Sequence, residues 1–219
     1  MIVAKFIAAL LLAYLIGAIP MGLIVSKLSR GVDVRGYGSG KTGFTNVLRT
    51  AGVGAGVGVL AGDVGKGALA VVFAGLIVGN GHFDLAGAEV GYELVRGLAV
   101  LLAIVGHNWP IYVGFKGGRG AAVLVGGGLA LIWWVALICV AVMVAVVYLF
   151  RWVSLGTLSG VFCGIVLFIL LAIFAPVPWE YALGIALGGA LVIGAHWDNI
   201  VRLVQGRERK LGQSGERRT

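Results

Sequence analysis

The sequence of 219 residues is 60% hydrophobic and only 12% charged, and its formal net charge is +8 at pH 7. Soluble domains of this length carry about twice that share of charged residues, so the composition excludes an ordinary soluble protein and predicts an integral membrane protein. The two cysteines, Cys139 and Cys163, both lie inside apolar runs. The sequence therefore contains neither a disulfide framework nor a zinc-binding pattern.

Several apolar runs approach the ~20 residues that a spanning helix needs. Residues 1–28 predict a first helix, loosened near Pro20, because the run is long and lacks the small-x-small cleavage site of a signal peptide. Further helices are predicted at residues 52–78, 91–105, 121–150, 155–174 and 181–196. The run at 121–150 is too long for one straight crossing, so we expect two short helices that meet near Trp133 and Trp134.

Basic and acidic residues alternate between the loops that join these predicted helices. Loops after the first, third, fifth and last helices carry the cations Lys27, Arg30, Arg35, Lys41, Arg49, Lys116, Arg119, Arg151 and six more from Arg202 to Arg218. The intervening loops hold the acids Asp84, Glu89, Glu93 and Glu180. Because Lys and Arg concentrate in cytoplasmic loops, this pattern predicts an all-α protein of about seven transmembrane helices, with its N-terminus outside and its C-terminus in the cytoplasm. We expect a single membrane-embedded domain at residues 1–212 and a polar basic tail at 213–219.

A polar, glycine-rich stretch at residues 38–49 interrupts the apolar sequence. Glycine lets backbone N–H groups approach an oxyanion, hydroxyls and amides donate hydrogen bonds, and Arg adds a forked charge. A nucleotide P-loop does not fit, because the position five residues before Gly40 is Arg35 rather than glycine. The stretch favours a phosphate or anion site, and a turn that merely caps the second helix is the alternative.

A second glycine-rich stretch follows the third predicted helix, at residues 106–120. Three glycines alternate with Lys116 and Arg119 just before a helix N-terminus, whose partial positive charge also attracts anions. The alternative is a basic anchor at the membrane surface, which would not need glycine.

Two ionisable residues lie inside the second predicted helix, Asp63 and Lys66. Charged residues within a membrane are functional candidates by default. At a spacing of three they can also neutralise each other on one helix face. Both a structural ion pair and a role in shaping the charge of a pocket remain open.

Near the C-terminus, residues 196–203 end the last predicted helix. On a continuous helix, His196, Asn199 and Arg202 share one face, which favours a functional stripe over a simple partner for the helix dipole. Ser154 begins the sixth helix either as an N-cap or as a ligand donor. His82 reads as a residue of an external loop.

Taken together, these motifs resemble the bacterial acyl-phosphate–glycerol-3-phosphate acyltransferases. The matching patterns are, in chain order, GSGxxGxTNVLRTAG, DxxKG, GHxxPxxxxFKGGxG, SLGT and HxxNIxRLxxGxExKxG. The resemblance implies a seven-helix enzyme of the bacterial inner membrane, with its active site on the cytoplasmic face. It also implies direct acyl transfer from acyl phosphate to the sn-1 hydroxyl of glycerol 3-phosphate, giving lysophosphatidic acid and phosphate. Its partners would be these substrates and membrane lipid, with no cofactor, metal or nucleic acid.

The resemblance assigns site roles only where this sequence matches the motifs. The expected catalytic residues are Ser39, Arg49, His196 and Asn199. The expected substrate-binding residues are Gly40, Lys41, Thr45, Asn46, Lys66, His107, Lys116, Gly117, Gly118, Arg119, Ser154 and Arg202. Either His196 or the phosphate of the substrate would accept the hydroxyl proton. Lys41, Phe44, Arg119 and Trp197 depart from the residues usual in the family.

Two other interpretations of the sequence remain. A transporter of an organic phosphate would also use basic glycine loops, but it should place broken helices with polar groups near the bilayer midplane. Here the polar motifs gather on one face of the predicted membrane domain. An inactive family member that serves as a scaffold is distinguished only by its lack of activity.

Overall fold

The computed structural model describes residues 1–85 and 88–213, and this part of the chain is almost entirely helical. The α-helices are α1 (Ile2–Gly17), α2 (Met21–Arg30), α3 (Phe44–Ala51), α4 (Val53–Val78), α5 (Tyr92–Asn108), α6 (Ala121–Phe150), α7 (Val153–Phe174), α8 (Trp179–Ala195) and α9 (Trp197–Val204). Single 3-10 turns occupy Val34–Gly36 and Ile111–Val113. Strands β1 (Phe83–Leu85) and β2 (Ala88–Val90) pair antiparallel, with Phe83 opposite Val90.

Within the described residues, five helical segments are long and apolar enough to cross a membrane, and a sixth is present if α8 and α9 count as one broken span. The first of the five joins α1 and α2, which are separated only by the break at Ala18–Pro20. This break confirms the predicted loosening near Pro20. The predicted span at 52–78 matches α4 to within one residue.

The 30-residue α6 folds back on itself. Ile132 has the non-helical angles φ −144° and ψ 90°. A Cβ built on Gly128 would lie 3.4 Å from the Cβ of Ala136, although positions eight apart are about 12 Å apart along a straight helix. The predicted division of this run into two shorter helices is therefore present, and it falls at Ile132, next to Trp133.

A partly buried arginine supports the break in α6. Arg96 of α5 donates from Nη2 to the carbonyl of Ala130 at 2.9 Å, just before the break. Its Nη1 donates to the hydroxyl of Tyr181 on α8 at 2.8 Å. A carbonyl at the end of a helix needs such a partner inside a membrane, because no water is available to satisfy it.

Helix α5 lies in the middle of the bundle and packs against α1, α4, α6 and α8. Its residues Ala99, Val100, Ala103 and Ile104 are completely buried. Small residues allow this close approach: a Cβ on Gly97 would overlap the backbone of Glu180 at the start of α8. The dense centre leaves the ends of α4, α6, α7 and α8 to surround a cavity at one side of the bundle.

Candidate active site

A cavity of about 1160 Å³ lies among α3, α4, α6, α7 and the bend between α8 and α9. Polar side chains line one end of it, and they include Ser39, Lys41, Thr45, Asn46, Arg49, His107, Arg119, Arg151, Ser154, His196, Asp198, Asn199, Arg202, Glu208 and Arg209. We call this end the mouth. Aliphatic side chains of α4, α6 and α7 line the remainder, which we call the chamber.

The chamber is deep enough for an acyl chain. Along α7 the lining runs from Ser154 at the mouth to the buried Phe168, which is 14 positions or about 21 Å along the helix axis. One leaflet of the hydrocarbon core is about 15 Å thick, half of the ~30 Å bilayer core. The wall also includes two small residues that face each other across the α6 break, Gly128 and Ala136.

The glycine-rich stretch at 38–49 is only partly a loop, because α3 begins at Phe44. Asn46, on the first turn of α3, holds the loop in place. Its Nδ2 donates to the carbonyls of Val34, Tyr37 and Lys41 at 3.1, 3.0 and 2.8 Å, and its Oδ1 accepts from the backbone N–H of Ser39 at 3.2 Å. Since its polar atoms are used within the loop, Asn46 positions Ser39 rather than offering spare donors.

Arg49, also on α3, reaches the C-terminal segment. Its Nη2 lies 3.3 Å from the carbonyl of Lys210 and 3.5 Å from that of Arg209. Burial and the nearby charge of Arg209 lower the pKa of the Arg49 guanidinium below its usual value. Among the residues that the structure describes, its Nε has no hydrogen-bond partner although it is buried. A half-buried guanidinium with an unused Nε donor at the mouth is suited to an anion.

The predicted stripe of His196, Asn199 and Arg202 lies on the short helix α9 and its N-cap, and the chain bends by 59° between α8 and α9. His196 lies at this bend, and its Nδ1 is 2.8 Å from the carbonyl of Val192. A carbonyl only accepts, so Nδ1 carries the proton and a neutral ring has its lone pair on Nε2. Asn199 and Arg202 follow on α9, and all three still line the mouth.

Glu208 organises this side of the mouth, and the sequence analysis did not select it. Its Oε1 accepts from Ser154 Oγ at 2.9 Å and from Asn199 Nδ2 at 2.7 Å, and its Oε2 accepts from Arg202 Nε at 2.8 Å. Burial raises the pKa of Glu208, but these hydrogen bonds lower it by more. The carboxylate therefore stays ionised at a lower pH than an ordinary glutamate does. Ser154 lies inside α7 rather than at its N-cap, which is Trp152.

Arg119 enters the mouth from the turn before α6. Its Nε donates to the carbonyl of Ala195 at 2.9 Å, next to His196 at the α8–α9 bend. Burial and the neighbouring charge of Arg202 lower the pKa of Arg119 below its usual value. Arg49 and Arg119 thus place two partly desolvated cations at the same cavity.

Lys66 belongs to a buried ionic cluster next to the cavity. Its Nζ lies 2.8 Å from Asp63 Oδ1, 2.9 Å from His107 Nδ1 and 2.8 Å from the carbonyl of Ile19. Lys66 does not line the cavity, so the structure does not bring it to the place where a substrate would bind. The structural ion pair anticipated between Asp63 and Lys66 is present.

Five of the predicted substrate-binding residues do not line the cavity: Gly40, Lys66, Lys116, Gly117 and Gly118. Lys116 is exposed. Gly40 has φ +71°, so the turn of the loop requires glycine there. Gly117 and Gly118 are glycines for reasons of packing, since a Cβ on either would overlap His107.

The fold and the cavity define a polytopic membrane protein with a site for an amphiphile that has an anionic end and an apolar chain. A family model described as glycerol-3-phosphate acyltransferase matches residues 7–206. The chain belongs to this family and is an acyltransferase of the membrane.

Similar proteins cover nearly the whole chain. Glycerol-3-phosphate acyltransferase 3 of Dehalococcoides mccartyi is 40% identical, over 97% of this chain and 99% of the relative. Glycerol-3-phosphate acyltransferase 2 of Moorella thermoacetica is 41% identical, over 95% of this chain and 98% of the relative.

Two crystal structures of PlsY (YgiH), an integral membrane glycerol 3-phosphate acyltransferase, share the fold. The glycerol 3-phosphate form has a TM-score of 0.81 and 33% identity, covering 94% of this chain and 96% of that chain. The lysphosphatidic acid form has a TM-score of 0.79 and 32% identity, covering 94% and 95%. These similarities favour the enzyme over the transporter.

Proposed function

We propose that this protein transfers the acyl group of an acyl phosphate to the sn-1 hydroxyl of glycerol 3-phosphate, giving lysophosphatidic acid and phosphate. The observation that carries the proposal is the continuity of the mouth, with Arg49 and Arg119, and the chamber, about 21 Å deep along α7. Both substrates carry phosphate, and one also carries an acyl chain. The relatives of known structure, in glycerol 3-phosphate and lysphosphatidic acid forms, support the same substrate and product.

The reaction proceeds by direct attack. The primary hydroxyl oxygen of glycerol 3-phosphate bonds to the acyl carbonyl carbon, the bond from that carbon to the phosphate oxygen breaks, and inorganic phosphate leaves. An acyl phosphate is a mixed anhydride with a good leaving group, so positioning and charge stabilisation supply most of the rate. Ser39, Thr45, Arg49 and Arg119 would hold phosphate, and Ser154, His196 and Asn199 would orient the attacking hydroxyl.

The hydroxyl proton goes either to His196 or to the phosphate of the substrate. The hydrogen bond from His196 Nδ1 to the carbonyl of Val192 favours a ring with an available lone pair on Nε2. A His196→Gln variant separates the two routes, because it keeps a polar group but cannot take up a proton. A rate reduced by less than about tenfold would favour the substrate phosphate, since a positioned general base contributes about 10²- to 10⁴-fold.

Acyl transfer by the purified protein in lipid tests the function. Acyl phosphate or acyl-CoA is supplied with labelled glycerol 3-phosphate, and lysophosphatidic acid is measured. We expect product from acyl phosphate alone, and its loss in Ser39→Ala and Arg49→Ala, with Asn80→Ala on a distant exposed loop as control. Product from acyl-CoA alone, or none from either donor in a folded sample, contradicts the proposal.

We further propose seven crossings in the bacterial inner membrane, with the N-terminus outside and the mouth on the cytoplasmic face. The reversal of α6 at Ile132 supports counting its two halves as separate crossings. Single cysteines at Lys116 and Pro176, in a background where Cys139 and Cys163 are replaced by Ala, test the orientation. Impermeant maleimide added to intact spheroplasts should label Pro176→Cys and spare Lys116→Cys; the reverse pattern would overturn it.

A further inference from the structure

The cluster of Asp63, Lys66 and His107 is buried inside the bundle, with side-chain exposures of 1%, 4% and 6%. Two members of the cluster line the cavity and Lys66 does not. Burying two charges and an imidazole in a membrane is costly, so the cluster needs an explanation beyond the neutralisation of Lys66 by Asp63.

The hydrogen bonds of Lys66 fix the imidazole of His107. Lys66 Nζ lies 2.9 Å from His107 Nδ1, whereas Asp63 Oδ1 lies 3.5 Å from the same nitrogen. The contact with Lys66 is the shorter of the two and fixes the position of Nδ1. The ring is thus held in one orientation by side chains of α4.

His107 in turn shapes the turn that precedes α6. The backbone N–H of Gly118 donates to the carbonyl of His107 at 3.0 Å, and that of Gly117 donates to the carbonyl of Asn108 at 3.2 Å. A Cβ on Gly118 would overlap Nε2 of the ring. The two glycines therefore lie directly against His107, and the next residue along the chain is Arg119.

We propose that Asp63, Lys66 and His107 are positioning residues for the phosphate site, acting through the Gly117–Gly118 turn to place Arg119 in the mouth. Lys66 holds the ring, the ring supports the turn, and the turn delivers the guanidinium to the carbonyl of Ala195 beside His196. The charge of Lys66 acts on substrate only through this chain of contacts. The proposal deepens the proposed function and rests on it.

Two variants break the chain of contacts at different links. Lys66→Met removes the contact to His107 and keeps most of the apolar length of the side chain. Gly118→Ala keeps the Asp63–Lys66 ion pair and displaces the ring of His107 with one methyl group. Since misplacing a binding group by about 1 Å can cost about 100-fold, we expect each variant to raise the KM of a phosphate-bearing substrate by about 10- to 100-fold.

Measuring KM separately for glycerol 3-phosphate and acyl phosphate identifies which phosphate Arg119 holds. Because both variants act through His107, the double variant should raise that KM no further than the more severe single variant does. If the two substitutions acted independently, the KM increase in the double variant would instead be the product of the two single increases.

Arg96→Met is the control for loss of a partly buried cation. Arg96 contacts Tyr181 and Ala130 and does not line the cavity. We expect this variant to lower Tm and to leave the KM for glycerol 3-phosphate unchanged, because Arg96 supports the α6 break along the chamber and not the mouth. Gly65→Ala on α4, where a Cβ meets nothing within 4 Å, is the control for Gly118→Ala.

The proposal is overturned if Lys66→Met lowers Tm without changing either KM. It is also overturned if the KM increases of the two single variants multiply in the double variant. If Lys66→Met fails to fold, Gly118→Ala alone tests the proposal. An unchanged KM in Gly118→Ala would then reject it. If the wild-type protein transfers no acyl group, the proposed function has failed instead. Calorimetric binding of inorganic phosphate then tests the positioning role, with weaker binding expected in Gly118→Ala and unchanged binding rejecting it.

Discussion

Asn199 and Glu208 are joined by a hydrogen bond of 2.7 Å, from the side-chain amide of α9 to a carboxylate in the segment that follows it. The same carboxylate accepts from Ser154 on α7 and from Arg202 on α9. One residue of the C-terminal segment therefore holds α7 and α9 together at the mouth of the cavity.

Replacing Glu208 by Gln should weaken this arrangement without changing the size of the side chain. The carboxylate accepts three hydrogen bonds, and a neutral amide oxygen forms weaker ones and leaves Arg202 without its partner. We expect a loss of about 2 kcal/mol in the free energy of unfolding and a clear drop in acyl transfer. Denaturation in detergent and product formation measure the two effects. Arg207→Gln, on the same exposed segment, should change neither; equal effects of both substitutions would refute the prediction.

The same carboxylate predicts a dependence of stability on pH. Burial raises the pKa of Glu208, but the hydrogen bonds from Asn199, Arg202 and Ser154 lower it by more, to below the usual value of 4.5. The contribution of Glu208 to stability is therefore complete above about pH 4.5 and is lost as the pH falls through the lower pKa of the folded protein. Thermal unfolding measured from neutral to acid pH should show a fall in Tm below pH 4.5 that is smaller in Glu208→Gln. If Tm falls with pH to the same extent in the wild type and in Glu208→Gln, the prediction is contradicted.

Asn46→Asp tests whether the glycine-rich loop depends on the side-chain amide. The substitution keeps the shape but replaces the donor Nδ2 with an oxygen that faces the carbonyls of Val34, Tyr37 and Lys41. Buried donors cannot be exchanged for acceptors without cost, and we expect a loss of about 2 kcal/mol of stability or more. The KM for a phosphate-bearing substrate should rise as Ser39 loses its support. Asn80→Asp on an exposed turn is the control, and an unaltered KM in Asn46→Asp would reject the role.

Much of the membrane architecture follows from the sequence because apolar runs dominate it. Helix α4 was predicted to within one residue, and the length of the run at 121–150 indicated the division that occurs at Ile132. The bend at His196 was missed because no proline marks it. Helix α3 was read as loop because glycine and polar residues surround it, although Gly43 and Gly52 delimit it as caps.

The site was less predictable, because its contacts join distant parts of the chain. Lys66 meets Ile19 and His107, which are 47 and 41 positions away, so local spacing indicated only its pairing with Asp63. Glu208 follows the last helix without any periodic pattern, and only the fold brings it to Ser154, 54 positions earlier. Arg49, Arg119, His196 and Asn199 were selected from motifs and do line one cavity.

The deep end of the chamber should set the length of acyl chain that the enzyme accepts. Gly128 lines the chamber, and a Cβ there would be 3.4 Å from Ala136, which is ordinary van der Waals contact. Gly128→Ala therefore fits against α6 and adds one methyl group to the chamber wall. One methylene in an apolar pocket is worth about 10- to 200-fold in selectivity, so kcat/KM for long-chain acyl phosphates should fall at least about tenfold relative to short-chain ones.

The measurement is kcat/KM for a series of acyl phosphates of increasing length, with glycerol 3-phosphate held in excess. Gly65→Ala on α4 is the control, since a Cβ there meets nothing within 4 Å and Gly65 does not line the cavity. Phe168→Ala at the far end of the chamber should shift the preference in the opposite direction, toward longer chains, because it removes the aromatic ring that closes that end. A uniform loss of activity over all chain lengths in both variants would show that this end of the chamber does not bind the acyl chain.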